Sequence, residues 1–328
     1  MIKTIGVIGL GNIARRHRQN LKKLFPCAII YAMSASGQNS TENVENADEI
    51  VRCIDELIKM SPDFVIIASP ATKHAEHAID LIEARIPILI EKPISADILD
   101  CEKILKALLT SPTPVAIGYC LRYMPSAIIV KGLLDNNDIG VVYNINSTVG
   151  QYLPQWRPNS DYINSVSAKK VLGGGVLLEL SHELDYIQWL LGDLTINYAC
   201  LRNSESLNLE VEEIADLLLT SPNGTLCSVH LDFLQKKASR RCTFIGDSGS
   251  IEWDLMKNSV IKYDELGCHT IYSEPMWDKN HMYLSMLQDF AQAIKSKQLP
   301  DYAAIRNAIK IVNLVSDIKK KAVWGVKQ

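Results

Sequence analysis

A glycine-rich turn near the N-terminus is the feature that most constrains the fold of this 328-residue chain. Residues 4–9 are apolar enough to form a short buried strand, and residues 12–24 are compatible with a helix. The connection between them reads Gly9-Leu10-Gly11-Asn12-Ile13-Ala14, with the spacing G-x-G-x-x-A. In this setting Gly9 permits a tight turn, Gly11 lets the backbone approach a pyrophosphate, and Ala14 allows close helix–strand packing. The turn predicts a dinucleotide site contacted by residues 9 and 11–14; the alternative is an ordinary strand-to-helix connection.

The end of the second predicted strand, residues 28–33, bears on which dinucleotide is bound. NAD-binding proteins of this kind place an Asp or Glu there to bind the adenosine ribose hydroxyls. This chain has Ser34-Ala35-Ser36-Gly37 instead. Small hydroxyl residues leave room for the 2′-phosphate of NADP, but no Arg adjoins them. The cofactor is therefore predicted to be NAD or NADP, with Ser34 and Ser36 near the ribose, and the choice stays open.

Two further strands end in residues that could face the same ligand. Residues 64–68 form a strand followed by Ser69-Pro70 and a helix over 74–84, and residues 87–90 form a strand followed by Glu91-Lys92-Pro93. This alternation predicts a parallel, doubly wound sheet, in which ligands bind at the carboxyl ends of the strands. We therefore expect Ser69, Pro70, Glu91 and Lys92 at the cofactor. Considered alone, a Lys in that position would more commonly be a solvated loop charge.

The pattern changes after about residue 120. Strands are predicted over residues 141–149, 194–201, 211–220, 225–234 and 239–244, with a turn at 221–224 and closing helices over 281–296 and 303–321. Successive strands without intervening helices favour an antiparallel sheet. The predicted fold class is α/β, with a doubly wound parallel sheet in residues 1–120 and an α+β domain with a mainly antiparallel open sheet in residues 121–328.

A segment after three glycines, 173–175, carries the strongest catalytic pattern of the second half. From Val176 onward its apolar residues follow the helical repeat of about 3.6 residues. Glu179, His182 and Asp185 lie three residues apart, on the side away from the apolar stripe. Carboxylates beside a histidine would orient its ring and favour its imidazolium, as suits a general acid or base. The alternative is a solvated polar face. No second histidine stands at ligand spacing, so no metal site is predicted.

Composition excludes several classes of protein. The chain has 34 basic and 37 acidic residues, and no apolar run reaches the roughly 18 residues that a membrane helix needs. A nearly balanced charge argues against nucleic acid as the main partner. The eight cysteines form no C-x-x-C pair, which indicates free thiols in a reducing compartment. We expect a cytoplasmic protein that binds neither membrane nor nucleic acid.

Four motifs in fixed order resemble those of a known family. They are the G-x-G-x-x-A turn, Glu91-Lys92-Pro93, the segment Gly118-Tyr-Cys-Leu-Arg122-Tyr-Met-Pro125, and the triple-glycine segment ending in His182-x-x-Asp185. Together they resemble the glucose–fructose oxidoreductase / inositol dehydrogenase / MocA family of NAD(P)-dependent oxidoreductases over nearly the whole chain.

The resemblance implies a Rossmann domain and a C-terminal domain whose open sheet forms a homodimer or homotetramer. It implies hydride transfer at a hydroxyl or carbonyl carbon of a sugar, sugar derivative or nucleotide sugar. Lys92 and His182 are the implied catalytic residues, the Lys92–Pro93 bond is expected to be cis, and His74 is expected to pack around the cleft. An enzyme that retains NAD and cleaves a glycosidic bond or eliminates a group is one alternative. A non-catalytic dinucleotide-binding regulator is another.

Three residues depart from the family pattern, and one loop resembles a subgroup of the family. Glu179 stands three residues before His182 where an Asp commonly stands four before, Cys120 replaces an Asn, and Ser34 replaces an acid. Residues 150–162 resemble a subgroup associated with surface-polysaccharide or sialic-acid-like sugars. Either this loop binds substrate, with aromatic rings stacking on a pyranose, or it is a structured loop that covers the cleft. The residues expected to contact substrate are Arg122, Tyr152, Trp156, Arg157, Tyr162, Lys169, Glu179 and Asp185.

Overall fold

The computed structural model describes residues 2–37, 43–156 and 161–325. The chain folds into two compact units, Met1–Cys120 with Asn280–Val312 and Leu121–Lys279 with Asn313–Gln328. The expected division at residue 120 assigns residues 280–312 to the second domain, whereas in the structure they pack as part of the first unit.

The first unit alternates strands and helices. Its elements are β1 Thr4–Ile8, α1 Asn12–Leu24, β2 Ile29–Met33, β3 Glu49–Val51, α2 Ile54–Lys59, β4 Phe64–Ile67, α3 His74–Glu83, β5 Ile88–Ile90, α4 Ile98–Thr110 and β6 Val115–Ile117. The six strands form a parallel sheet in the order β3-β2-β1-β4-β5-β6. The order reverses between β1 and β4, which is where such sheets bind their ligands. The prediction of a parallel, doubly wound sheet is confirmed.

The central strands β1, β4 and β5 are largely apolar, as expected where helices cover both faces of a sheet. Residues 64–67 are all fully buried, as are the apolar residues of β1 and β5. Four elements of the first unit were not predicted: β3, α2, α4 and β6. Three of them are only three to six residues long, and such short segments carry little periodicity. Helix α4 begins after Asp97, whose side chain accepts the Leu99 N–H at 2.8 Å.

The second unit is built on a larger sheet. Its elements are α5 Pro125–Asp135, β7 Val142–Gly150, α6 Val176–Glu179, α7 His182–Leu191, β8 Thr195–Arg202, β9 Ile214–Thr220, β10 Leu226–Asp232, β11 Ser239–Gly246, β12 Ser250–Asp254, β13 Ser259–Asp264 and β14 Gly267–Ser273. Three elements complete the chain: α8 Asn280–Lys295, α9 Tyr302–Lys321 and β15 Val323–Trp324. The nine strands run in the order β14-β13-β12-β11-β7-β10-β9-β8-β15.

This sheet is mainly antiparallel, as predicted, but two of its pairings are parallel. Strand β7 lies between β11 and β10 and runs parallel to β10, and the short β15 runs parallel to β8. In the chain, β7 is followed by α6, α7 and then β8. In the sheet, however, β7 has β10 and β11 as its neighbours instead of β8. One face packs on the helices: the Tyr186 hydroxyl lies 2.6 Å from that of Ser147, and Trp253 donates to Ser126 of α5.

The prediction of one continuous helix from Val176 is wrong. Helix α6 ends at Glu179, Leu180 adopts φ −100° and ψ 26°, and α7 begins at His182. The alternative interpretation of Glu179, His182 and Asp185 as a solvated polar face does not hold for Asp185, which is 1% exposed. Glu179 and His182 are half-buried. Periodicity alone could not reveal the break, since the apolar spacing continues across it.

The helices described here include none that is both long and apolar enough to span a bilayer.

Candidate active site

The glycine turn has the geometry of a phosphate-binding turn. Gly9 has φ +117°, and a Cβ there would lie 2.4 Å from the Ala68 carbonyl oxygen, so only glycine fits. Gly11 precedes α1 as its N-cap without a side-chain cap. A Cβ on Gly11 would meet no described atom within 4 Å, which leaves the backbone open to a ligand. Asn12 and Ile13 begin the helix, whose N-terminal N–H groups attract anions, and Ala14 is fully buried against the sheet.

The residues predicted at the ribose lie at the carboxyl end of β2, beside the turn. The Gly9 N–H donates to the carbonyl of Met33, the last residue of β2, at 2.8 Å. Just beyond it, the hydroxyls of Ser34 and Ser36 are 3.1 Å apart. Neither side chain carries a charge. The pair can therefore form hydrogen bonds with the cofactor, but it offers no charge that would favour NAD over NADP or the reverse.

The Ser69-Pro70 segment after β4 is held by two buried histidines of α3. The Ser69 hydroxyl lies 3.1 Å from Nδ1 of His77, and burial lowers the pKa of His77 to about 4. His74 places Nε2 2.9 Å from the Ser69 carbonyl and Nδ1 2.9 Å from the Pro93 carbonyl. Burial lowers the pKa of His74, while these carbonyls and Glu91 oppose that shift. His74 therefore joins the segments after β4 and β5, as a packing residue of the ligand-binding edge.

Lys92 lies at the carboxyl end of β5, and the bond to Pro93 is cis, as predicted. Lys92 is half-buried, whereas Glu91 is only 7% exposed. The Glu91 carboxylate accepts the Lys92 backbone N–H through Oε2 at 3.2 Å and lies 2.6 Å from Nε2 of His17 through Oε1. Because β1, β4 and β5 are adjacent and parallel, the glycine turn, Ser69-Pro70 and Glu91-Lys92 share one edge of the first unit's sheet.

Cys120, which departs from the family pattern, is buried beside Tyr283 of α8. Burial is the main cause that raises the pKa of Tyr283, and Cys120 and Glu91 add to it. The ring of Tyr283 packs edge-on against His17, at a centroid distance of 6.1 Å. Cys120 thus belongs to the buried cluster around Glu91.

In the second unit, two buried ion pairs fix the helix that begins at His182. Asp185 accepts two hydrogen bonds from Arg122, at 2.6 and 2.9 Å, and Glu183 accepts two from Arg240, also at 2.6 and 2.9 Å. Residues two apart point to nearly opposite sides of a helix. The pairs therefore hold the first turn of α7, which carries half-buried His182, from two sides. Burial raises the pKa of Asp185 to about 6, although Arg122 lowers it.

The expected substrate residues of the second unit have described partners within the protein. Glu179 accepts the Ser167 hydroxyl at 3.0 Å, and the Trp156 indole donates to the Gln151 carbonyl at 3.0 Å. The Trp156 ring also packs edge-on against buried Phe233, at 5.3 Å. The Lys236 ammonium lies 3.0 Å from the centroid of the Tyr152 ring. These contacts fit a structured loop with a cation placed next to an aromatic ring.

The remaining expected substrate residues lie farther along the same segment. Tyr162 and Lys169 are both half-buried: Tyr162 begins one short 3₁₀ turn and Lys169 directly follows the next. Arg157 lies outside the described residues. Three residues that the sequence did not single out, His17, Glu183 and Arg240, have contacts as close as those of the expected ones. A buried charge has no signature in a single sequence, so only Glu183, between His182 and Asp185, could have been suspected.

Two family models together cover most of the chain. Residues 3–119 match the oxidoreductase family with an NAD-binding Rossmann fold, and residues 128–252 match the GFO/IDH/MocA C-terminal domain. The chain belongs to the GFO/IDH/MocA family. Membership confirms the expected Rossmann domain, the NAD(P) cofactor class and the class of NAD(P)-dependent oxidoreductases.

Individual relatives are distant. The chain is 27% identical to an uncharacterised oxidoreductase of Bacillus subtilis over 68% of its length and 65% of the relative's length. It is 26% identical to inositol 2-dehydrogenase 2 of Saccharopolyspora erythraea, covering 81% of this chain and 77% of that one. Among solved structures, levoglucosan dehydrogenase in complex with NADH and L-sorbose superposes with a TM-score of 0.83 at 18% identity, over 98% and 97% of the two chains. That likeness shows the shared fold.

The contrast between Gly9 and Gly11 gives a test of the dinucleotide site. We expect Gly11→Ala to weaken NADH binding at least about tenfold, or ~1.4 kcal/mol, because its methyl group enters the open space. Its stability should change by less than about 0.5 kcal/mol. Gly9→Ala should instead destabilise the fold by about 2–3 kcal/mol through backbone strain and overlap. Fluorescence titration and chemical denaturation measure both; unchanged NADH affinity in Gly11→Ala would place the cofactor elsewhere.

Proposed function

We propose that this chain is an NAD(P)-dependent dehydrogenase or reductase that acts on a secondary hydroxyl, or the corresponding ketone, of a sugar, cyclitol or nucleotide sugar. The observation that carries the proposal is the shared edge of the first unit's sheet. There, a glycine turn with the geometry of a phosphate-binding turn and the half-buried Lys92 follow strands of the same parallel sheet. A pure dinucleotide binder needs the turn but has no use for the lysine.

In the proposed reaction, His182 transfers a proton and Lys92 stabilises charge. A bound nicotinamide would supply the hydride acceptor or donor. In oxidation, His182 removes the proton of the substrate hydroxyl as general base. The Lys92 ammonium stabilises the negative charge that develops on that oxygen. In reduction the same residues act in the opposite direction: Lys92 polarises the ketone oxygen and His182 returns the proton.

The substrate class is supported by the relatives and by the loop after β7. Similar proteins are dehydrogenases of inositol and levoglucosan, which are polyhydroxylated rings. In this chain the loop carries Tyr152, Trp156 and Tyr162, and aromatic rings of this kind stack on pyranose faces. Lys236 beside Tyr152 adds a positive charge that suits a carboxylate or phosphate on the sugar.

We also propose that the chain forms a homodimer or homotetramer through the open sheet of the second unit. Strands β9 and β10 alternate fully buried residues with partly exposed ones, so one face is available for association. Large side chains such as Tyr198 and Ile245 are 51% and 42% exposed on this sheet. Light scattering coupled to size-exclusion chromatography measures the mass directly.

The experiment that tests the function combines a cofactor titration with a substrate screen. Purified protein is titrated with NADH and NADPH, followed by fluorescence. The tighter cofactor, in its oxidised form, is then screened against myo-inositol, hexoses, hexose phosphates and nucleotide hexoses. We expect one cofactor to bind and at least one polyol to yield reduced cofactor.

Other outcomes separate the alternatives. A cofactor that stays bound through purification, with product formed and no net change in NAD(P)H, would favour transient oxidation by a retained cofactor. Binding without any turnover would favour a regulator. If neither dinucleotide binds, the oxidoreductase proposal is wrong.

A further inference from the structure

The strongest unassigned feature of the first unit is a buried hydrogen-bonded link between α1 and the segment that carries Lys92. His17 lies on α1, three residues after the glycine turn ends at Ala14, and is fully buried. Its Nε2 lies 2.6 Å from Oε1 of Glu91. The other carboxylate oxygen of Glu91 accepts the backbone N–H of Lys92. One carboxylate therefore connects the dinucleotide-binding helix to the peptide of Lys92.

The chemistry of the two partners sets the direction of this hydrogen bond. Glu91 can accept only if Nε2 of His17 carries the proton. Nδ1 of His17 is buried, and none of the residues in the described ranges offers it a hydrogen bond. A proton on Nε2 alone satisfies the pair best, because a buried Nδ1–H would have no acceptor. His17 thus donates one charge-assisted hydrogen bond, the kind that fixes a carboxylate most firmly.

The remaining surroundings of Glu91 are equally restricted. A Cβ on Gly118, just after β6, would lie 2.9 Å from Oε2 and 3.1 Å from the Cα of Glu91. The glycine therefore leaves the space that the carboxylate occupies. With His17 on one side and Gly118 on another, the carboxylate keeps one orientation and directs Oε2 at the Lys92 N–H.

We propose that His17 is a positioning residue for Lys92: through Glu91, it holds the backbone of Lys92 where the lysine can stabilise charge on the substrate oxygen. This inference rests on the proposed function. Cofactor binding alone does not require this role. His17 lies beyond the glycine turn, and its hydrogen bond is to Glu91, next to Lys92.

The test is a matched pair of substitutions at His17. His17→Phe keeps an aromatic ring against Tyr283 but removes the donor, whereas the amide of His17→Gln places a nitrogen donor near the position of Nε2. We expect His17→Phe to lower kcat about 30- to 100-fold, with KM and the Kd of NADH changed less than about threefold. His17→Gln should retain at least a third of wild-type kcat. Gly118→Ala, which displaces the carboxylate, should resemble His17→Phe.

A second readout needs no substrate and keeps failure of the proposed function distinguishable. Trace acetylation followed by mass spectrometry compares the reactivity of Lys92 with that of exposed Lys297 in the same molecule. We expect this ratio to change at least about threefold in His17→Phe and to stay near wild type in His17→Gln. If the wild type shows no turnover, the proposed enzymatic function is wrong. The reactivity ratio still tests whether His17 positions Lys92 through Glu91.

Two results would overturn the proposal. In the first, Lys92 reactivity and kcat are unchanged in His17→Phe. In the second, His17→Phe and His17→Gln lose kcat, NADH affinity and thermal stability alike, which would show that His17 serves only the packing of α1.

Discussion

Replacing Lys92 by methionine is expected to lower kcat by about 10²- to 10³-fold, the usual effect of removing one group that stabilises charge in a transition state. Methionine keeps most of the length of the side chain and removes its charge and its donors. Because the glycine turn and the segment after β4 are untouched, the Kd for NADH should change less than about threefold. Initial rates with the polyol found in the screen, together with fluorescence titration, measure the two quantities.

Lys103→Met is the matched control for this substitution. Lys103 lies on the surface of α4, where its ammonium is 2.8 Å from the Asp100 carboxylate. We expect wild-type kcat in this variant. A Lys92→Met protein that keeps more than a tenth of wild-type kcat would show that the lysine is only a solvated charge at the end of β5.

Breaking the buried pair between Arg122 and Asp185 is expected to give the largest loss of stability. Arg122→Met leaves the Asp185 carboxylate, 1% exposed, without its guanidinium. Removing one partner of a buried ion pair typically costs about 3–5 kcal/mol. We expect this decrease in the free energy of unfolding at pH 8, measured by chemical denaturation of wild type and variant.

The size of this loss should depend on pH. Burial already raises the pKa of Asp185 to about 6 in the folded protein, above its ordinary value of 3.8. The folded state therefore binds the extra proton more readily, and this group's contribution to stability declines as pH rises from about 4 to 6. Without Arg122, the folded pKa rises further, so the decline continues above pH 6 at up to about 1.4 kcal/mol per pH unit. The difference from wild type should therefore be smaller at pH 6 than at pH 8.

Two variants check the cause. Asp185→Asn combined with Arg122→Met removes both charges and should recover part of the lost stability at pH 8 while abolishing the pH dependence. Lys103→Met, which breaks a surface pair, should leave the free energy of unfolding close to that of wild type at either pH. A loss in Arg122→Met that is independent of pH would indicate lost packing of the arginine rather than an uncompensated carboxylate.

The sequence predicted the parts of this protein that depend on neighbours in the chain. The turn from Gly9 to Ala14 is recognisable because its glycines are needed within six consecutive residues, for a positive φ and for an open approach. Continuous apolar runs such as residues 64–67 identify buried parallel strands for the same local reason. The position of Lys92 at the edge of the sheet then follows from the alternation of strands and helices.

Elements set by distant contacts were not predicted. The β7 strand pairs in parallel with β10, about eighty residues later, and nothing in either strand's own sequence specifies that partner. The break between α6 and α7 falls inside an unbroken helical repeat, so the apolar spacing gave no sign of it. In both cases periodicity indicates which face is buried, but it does not indicate which other element that face packs against.

The sequence by itself determined the class of protein, the dinucleotide turn and the candidate residues Lys92 and His182, because local spacing and motif order carry that information. The tertiary structure decided what holds those residues. It paired Asp185 with Arg122, 63 residues away, and Glu91 with His17, 74 residues away. A carboxylate in a sequence looks the same whether it is solvated or buried; only folding determines which charge or donor compensates its loss of water.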